Sequence, residues 1–494
     1  RGGTPAHQRL TMVAPSHYDA VIIGAGMSGL AAAVRLGMYG RKVLLLERHN
    51  APGGLNSFYA RGARRYDVGL HALTNWVPEG AKGAPLVKLM RQLRIRREEL
   101  DLCPQLGSRI AMAGRSLRLD NDFDHLLADV ADQFPGAVDR FRALDAWIAG
   151  LDEAALEAHG GSARALLDER LGDPLLRDML LLPTCFYGSA LEDDIEVSQF
   201  AIMWRSLFRE GFARPFIGVR QVIRLLVERC REHGVERRMK CGVQRIVSRE
   251  GRAAALLLDS GEEIATDHVI SSIGAPETDR LLQVERLAPK ALERVESNAF
   301  HPEPGRLSFI ETITVLNRQP TALGWGDDTI VFFNDSPRFD YARPDEQVDT
   351  RSGVICLPNN FAYPAGAQLD EGFLRITCLA NYDRWATLPE ETYRADKQRW
   401  FAAAQRSARR FLPAVADDVL AKTTVTTDMF TPRTITKFTG HLQGAIYGAT
   451  TKNRQGRTAL PNLYLCGTDQ GFLGIVGAML SGISMANYHI LQKG

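Results

Sequence analysis

Between residues 19 and 46 the spacing of apolar positions changes period twice. Asp19–Ile23 is a short apolar run, Gly29–Tyr39 carries small and aliphatic residues at helical spacing, and Lys42–Leu46 returns to a strand pattern. The unit reads strand, helix, strand. Helical periodicity then dominates Ala84–Leu93, Asp122–Phe134, Ala137–Leu151 and Ser162–Leu171, which predicts a helical insertion. Pro174–Leu182 is strongly aliphatic and runs on through Met203 and Trp204 to Phe208, a mixture that suits either the lining of an apolar tunnel or an ordinary helical core. An amphipathic helix is predicted over Gln221–His233. Strands are predicted over Met239–Val247, Ala253–Leu258, Glu263–Ile264 and His268–Ser272, with a turn at Ser260–Gly261. Further strands fall at Arg306–Leu316, Gly353–Leu357, Leu374–Ala380 and Leu463–Cys466, and a long helix at Glu390–Phe411. The polar stretch Asp335–Arg351 reads as surface loops. Phe472–Leu491 is apolar but broken by Gly474, Gly477, Ser481 and Gly482, so a buried helix is predicted there in place of a membrane span.

Composition narrows the class without naming it. The chain has 494 residues, 45% hydrophobic and 24% charged, enough for two domains and a large core, and it is not disordered in character. A formal net charge of +2 with no long basic run gives no case for nucleic acid. The seven cysteines are scattered, odd in number and without a C-x-x-C pair, which argues for a reducing compartment and against a zinc site. Residues 1–11 lack the apolar core of a signal peptide, so a cytoplasmic protein is expected.

The first candidate chemistry lies in the turn between the first strand and helix. In GAGMSG, Gly24 permits a tight turn, Gly26 lets the backbone approach a pyrophosphate, and Gly29 lets helix and strand pack closely. The N–H groups and dipole at the helix start, including those of Met27 and Ser28, would face the phosphates. Glu47 closes the second strand, where a carboxylate accepts hydrogen bonds from ribose hydroxyls.

Arg48, Gly53 and Gly54 complete E-R-x(4)-G-G, and RRYDVGLHALTN follows at Arg64–Asn75. These segments resemble the FAD signatures of the flavoprotein group that contains amine oxidases, protoporphyrinogen oxidase and phytoene desaturase. Leu55 stands where the group often has Arg, with Asn56 and Ser57 as polar neighbours. By that resemblance Val68, Gly69, Leu70 and His71 pass beside the isoalloxazine ring. The backbone at Val243 would meet the adenine, and Gly274 lies on the strand returning toward the flavin. FTPRTITKFTGHLQGAIYG, Phe430–Gly448, resembles a segment of carotenoid isomerases and retinol saturases within the wider phytoene desaturase family. Leu460–Asn487 resembles that family's closing FAD motif: Gly467 gives close approach, Asp469 bonds the ribityl or pyrophosphate region, and Gly474, Ile475 and Val476 start a helix facing the flavin's carbonyl edge.

The resemblance implies an α/β fold: a Rossmann-like FAD-binding domain of the two-dinucleotide-binding-domain flavoprotein type, with a discontinuous α+β substrate domain. Residues 17–85, 216–275 and 441–494 would form the first, and 86–215 and 276–440 the second. It implies noncovalent FAD and a lipophilic polyene or polyisoprenoid substrate, such as a carotenoid, altered at its carbon–carbon bonds by desaturation, saturation or cis-trans isomerisation. Such a substrate would be collected at a membrane surface, with Pro174–Phe208 as the expected apolar rim. His71 is the named candidate for proton handling, beside the plainer role of hydrogen-bonding the flavin or backbone. Asp67 is expected to fix its loop, and no general base is nominated. Two rival readings are an amine or porphyrinogen oxidase of the same fold, and a prenyl-binding escort protein built like Rab GDP-dissociation inhibitors; the intact phosphate-loop glycines and Glu47 argue against the second.

Overall fold

A computed structural model describes residues 17–69, 72–151, 160–282 and 302–492, and two seven-stranded sheets organise them. In the first sheet, β1 (His17–Ile23) pairs in parallel with β2 (Val43–Glu47) on one side and with the long strand Glu263–Ser271 on the other. The helix α1 (Met27–Gly37) crosses between β1 and β2. Strand Glu263–Ser271 serves two neighbours on its far edge: residues 263–265 pair with Arg252–Leu258, and residues 269–271 pair with Leu463–Leu465. Strands from the start, middle and end of the chain thus meet in one layer.

Helix α1 is buried on nearly every face because small residues let its neighbours close in. A Cβ on Gly29 would lie 2.0 Å from the Gly24 carbonyl oxygen, and one on Gly482 would lie 2.0 Å from that of Ser28. The second contact seats the closing helix Gly474–Ala486 directly on α1, in a core shared with helix Arg220–Glu232. The closing helix with its continuation to Leu491 is long and apolar enough to cross a membrane, yet 61% of that stretch is buried in the fold. Its apolarity is explained by the core it fills.

The second sheet runs in the order Thr424–Phe430, Ser308–Leu316, Gly372–Ala380, Val348–Cys356, Ile330–Asn334, Ser108–Met112, Arg115–Arg118. It is antiparallel except where Ile330–Asn334 meets Ser108–Met112. Helices from residues 123–208 cover one face in a large aromatic core, and Glu390–Ala408 packs on the other.

Four expectations need correction. Met239–Val247 is two strands, not one: Glu236–Met239 pairs with β2, the chain turns at Lys240 (φ 54), and Val243–Arg249 pairs with Arg252–Leu258 at the opposite edge of the sheet. The insertion is not purely helical, since Ser108–Met112 and Arg115–Arg118 extend the second sheet. Asp335–Arg351 is not all surface, because Phe339 and Tyr341 are buried in the aromatic core and a strand begins at Val348. Pro174–Phe208 is core and not rim: from Leu176 to Gly188 only Arg177 is not fully buried, and Phe200, Trp204, Leu207 and Phe208 are also interior.

Candidate active site

The glycine cradle is the first part of the site. Gly24 adopts φ 96, and the Gly26 carbonyl accepts the first intrahelical bond, from Leu30. The N–H groups of Met27, Ser28 and Gly29 precede that bond and so have no partner within the helix. A Cβ on Gly26 would touch nothing within 4 Å, and one on Gly54 would meet only the Gly26 Cα at 3.5 Å. The two glycines therefore face an open cleft at the positive end of α1, shaped for an anion such as a pyrophosphate. Gly53 is held there by donating to the Ala25 carbonyl at 2.8 Å.

Glu47 stands at the cleft's edge. Its two oxygens accept from the backbone N–H groups of Ala25 and His49, each at 2.8 Å. These bonds fix the carboxylate in place while each oxygen keeps a lone pair for a ribose hydroxyl. Cys241 N–H donates to the Glu47 carbonyl at 2.8 Å, which brings the start of the Val243 strand alongside. The exposed Arg48 reaches sideways, its guanidinium lying over Gly440.

The second part is a cavity of about 210 Å3. Leu55, Asn56, Val68, Gly69, Gly474 and Ile475 are among its lining residues. Phe186, Tyr187, Phe309, Ile446 and Tyr447 also line it, together with Glu311, Thr377 and the hydroxyl-bearing Thr74 and Thr468. Val476 points into the core and Gly467 abuts Ser28, so of the three residues opening the closing helix only Gly474 and Ile475 reach the cavity. The segment before the cavity is pinned by paired bonds of Leu73 with Ala213 and by Asn75 N–H donating to the Ser206 carbonyl. Leu70 and His71 lie outside the described residues.

Asp469 is pinned by backbone donors in the same way as Glu47. One oxygen accepts from Ala275 N–H and the other from Ala449 N–H, both at 2.6 Å, and Lys452 Nζ lies 3.6 Å away. The carboxylate ties three loops together around the cofactor cleft, Gly274 included (φ 110).

Sequence reasoning passed over the charged floor of the cavity. Glu311 and Arg375 form a buried pair at 2.6 Å, Gly69 N–H donates to the second Glu311 oxygen at 3.0 Å, and Arg375 donates to the Asp67 carbonyl at 2.9 Å. Asp67 lies 3.2 Å from Arg220 and 3.6 Å from Arg214. Burial pushes the Glu311 carboxyl above its ordinary range, while Arg375 and the Gly69 N–H pull it back. This lattice holds the 67–69 segment rigid against the cavity. A signal was present: Glu311 and Arg375 are the single charges of their strands, and the register sets Glu311 opposite Thr377 and Ile313 opposite Arg375, a diagonal pair on one face.

An open glycine cradle at a helix start, a pinned acid beside it and a second helix start facing an apolar cavity together fit a flavin dinucleotide. Residues 27–488 match the family described as flavin containing amine oxidoreductase. The chain belongs to that family. The flavoenzyme is 24% identical over 520 residues to the chloroplastic prolycopene isomerase of Arabidopsis thaliana, across 96% of this chain and 82% of that protein. It is 25% identical over 482 residues to hydroxyneurosporene desaturase of Cereibacter sphaeroides, across 90% and 92%. Among solved structures, an oxidoreductase from Methanosarcina mazei shares the fold with a TM-score of 0.63 at 17% identity, covering 95% of this chain and 99% of its own. The chain is an FAD-dependent oxidoreductase.

Proposed function

We propose that this flavoenzyme holds FAD noncovalently and alters carbon–carbon bonds of a lipophilic polyene or polyisoprenoid, by desaturation, saturation or cis-trans isomerisation. The observation that carries this reading is the cavity at Gly474 and Ile475: its wall is mainly aromatic and aliphatic, and Glu311, the one carboxylate among its described lining residues, is paired with Arg375. Such a cavity favours an apolar chain, whereas a protonated amine would lose its hydration without meeting an unpaired carboxylate. That counts against the amine oxidase alternative. The names of the two relatives, a prolycopene isomerase and a hydroxyneurosporene desaturase, point the same way.

FAD supplies reversible two-electron redox chemistry when bound. The chain's own part is to bind the dinucleotide through Gly26, Gly54 and Glu47, to hold the 67–69 backbone against the cavity through Glu311 and Arg375, and to exclude water with the aromatic wall. A polyene is nearly insoluble, so we place its collection at a bilayer by a cytoplasmic protein that docks reversibly. With Pro174–Phe208 buried, helix Pro432–Thr439 takes over as the rim: Ile435 lines the cavity, while Phe438 is exposed beside Lys437.

Acid precipitation should release the yellow colour into the supernatant. Anaerobic assays on a panel of polyenes, with oxidised and then chemically reduced flavin, separate the three reactions. Product requiring oxidised flavin marks desaturation, consumption of reduced flavin marks saturation, and a geometric isomer without net flavin change marks isomerisation. Turnover of a soluble amine with no polyene product, and no flotation with liposomes, would overturn the reading.

A further inference from the structure

Helix Pro432–Thr439 carries an apolar stripe from the cavity out to the surface. Ile435 lines the cavity, and Phe438, three residues on and so on the same side of the helix, is 49% exposed. Cations flank that ring. Lys437 Nζ lies 5.4 Å from its centroid, the His49 ring meets it edge-on at 5.7 Å, and the Arg48 guanidinium lies over Gly440 just past the helix end. Neither Lys437 nor Arg48 makes an ion pair with a described residue, although Asp259 approaches the stem of Arg48 near Gly242.

The charges beside the helix lean the same way. Arg433 lies one turn before Lys437, a spacing at which like charges repel. Glu390 is shared between Arg433 and Arg394, at 3.4 and 3.0 Å. On the strand that leads into the helix, Asp428 lies 3.7 Å from Arg61 and 3.9 Å from Lys397. Arg433 and Lys397 both face the Tyr393 ring, at 4.6 and 5.8 Å from its centroid, so the two groups adjoin. In each of them one carboxylate serves two cations.

One half-exposed phenylalanine gives only marginal binding to a bilayer, and lasting attachment takes a second signal. Lysine and arginine at a negatively charged leaflet supply it, each strengthening binding about fivefold and only within a Debye length of the surface. A leaflet of neutral lipids returns nothing for these charges.

We propose that helix Pro432–Thr439 is a docking face for anionic lipid, with Phe438 inserted among the chains and Lys437 and Arg433 set against negatively charged headgroups. This rests on the bilayer-docking part of the reading above and adds to it the class of lipid and the residues that select it.

The test floats the FAD-loaded protein with vesicles of phosphatidylcholine alone, and of phosphatidylcholine with about one-third phosphatidylglycerol, at low salt and at roughly 0.5 M NaCl. The anionic vesicles should bind at least about fivefold more tightly at low salt, and the excess should vanish at high salt. Lys437→Glu, which reverses a charge, should weaken anionic binding by about 25-fold and leave neutral binding unchanged, while Phe438→Ser should weaken both. Lys42→Glu, before the start of β2 where Arg48 follows its end, should change neither. Melting temperature and flavin content check that each variant folds. Equal binding to the two vesicles would overturn the lipid selectivity and leave bilayer docking standing. Selectivity that survives Lys437→Glu would overturn the assignment to this face. Flotation with neither vesicle would overturn this proposal and bilayer docking together, and polyene turnover in detergent micelles would then show that the polyene reading itself survives. A dimer abolished by Phe438→Ser, without flotation, would give the face to a second copy of the chain and overturn the lipid assignment.

Discussion

Gly26→Ala and Gly29→Ala separate cofactor space from packing space within one turn of helix. At Gly26 the backbone is ordinary, φ −70 and ψ 177, and a Cβ meets no protein atom within 4 Å. Alanine there strains nothing, and its cost to the apoprotein is that of a weaker N-cap, at most about 1 kcal/mol. The same methyl stands in the open cleft in front of the first-turn N–H groups, where the pyrophosphate must approach. Losing two charge-assisted hydrogen bonds of about 1.5–3 kcal/mol each weakens FAD binding by roughly a hundred- to ten-thousand-fold. At Gly29 the methyl would fall 2.0 Å from the Gly24 carbonyl oxygen, so β1 and α1 must separate. Overpacking of that kind costs the apoprotein about 1–3 kcal/mol or more. The assay is paired: fluorescence titration of each apoprotein with FAD, and urea melts of the same samples. Gly26→Ala should melt close to wild type yet fail to retain colour, and Gly29→Ala should melt early. A Gly26→Ala protein that binds FAD with unchanged affinity, or one whose apoprotein is destabilised as much as Gly29→Ala, would refute the assignment of the cleft.

Glu47→Ala should weaken FAD binding tenfold or more by titration of the apoprotein, because it removes a charged acceptor held in place by two backbone donors; unchanged affinity would count against the ribose role. Asp469→Leu should lower stability by about 3–5 kcal/mol in urea melts, since it leaves the buried Lys452 with the Tyr447 carbonyl but no carboxylate and two N–H groups without acceptors, and Asp469→Asn should cost less. The Arg96 backbone N–H, and next Arg229 at 2.7 Å, hold the Glu99 carboxyl below its ordinary range. A lowered folded value means that this stability is present above pH 4.5 and is lost as the pH falls through the folded pKa, so the gap in urea midpoint between wild type and Glu99→Gln should be open at pH 7 and narrow as the pH is lowered below 4.5. A gap independent of pH would show that Glu99 acts through shape and not charge.

The parts of this molecule that sequence disclosed are those where backbone geometry dictates residue type. Gly24 and Gly29 are legible because a side chain would strain one and collide at the other, and Glu47 because it ends a strand beside that turn. Where tertiary partners decide, the sequence was silent or misleading. Pro174–Phe208 is equally apolar whether it faces lipid or core, and only the sheet packed against it settles which. The period of Met239–Val247 runs unbroken through Lys240, whose left-handed backbone is occupied by a residue that announces no turn. Glu311 gains its meaning from Arg375, 64 residues away, which is not a property of a local window.

The seat of Gly482 on Ser28 also sets a clock for synthesis. The helix that covers α1 follows it only after more than 400 residues of chain. At translation rates of about 5–20 residues per second, α1 waits roughly 20–90 s with an apolar face uncovered. During that interval the nascent chain offers chaperones a long-lived hydrophobic helix. A message truncated before the closing helix would therefore yield aggregate in place of a colourless enzyme.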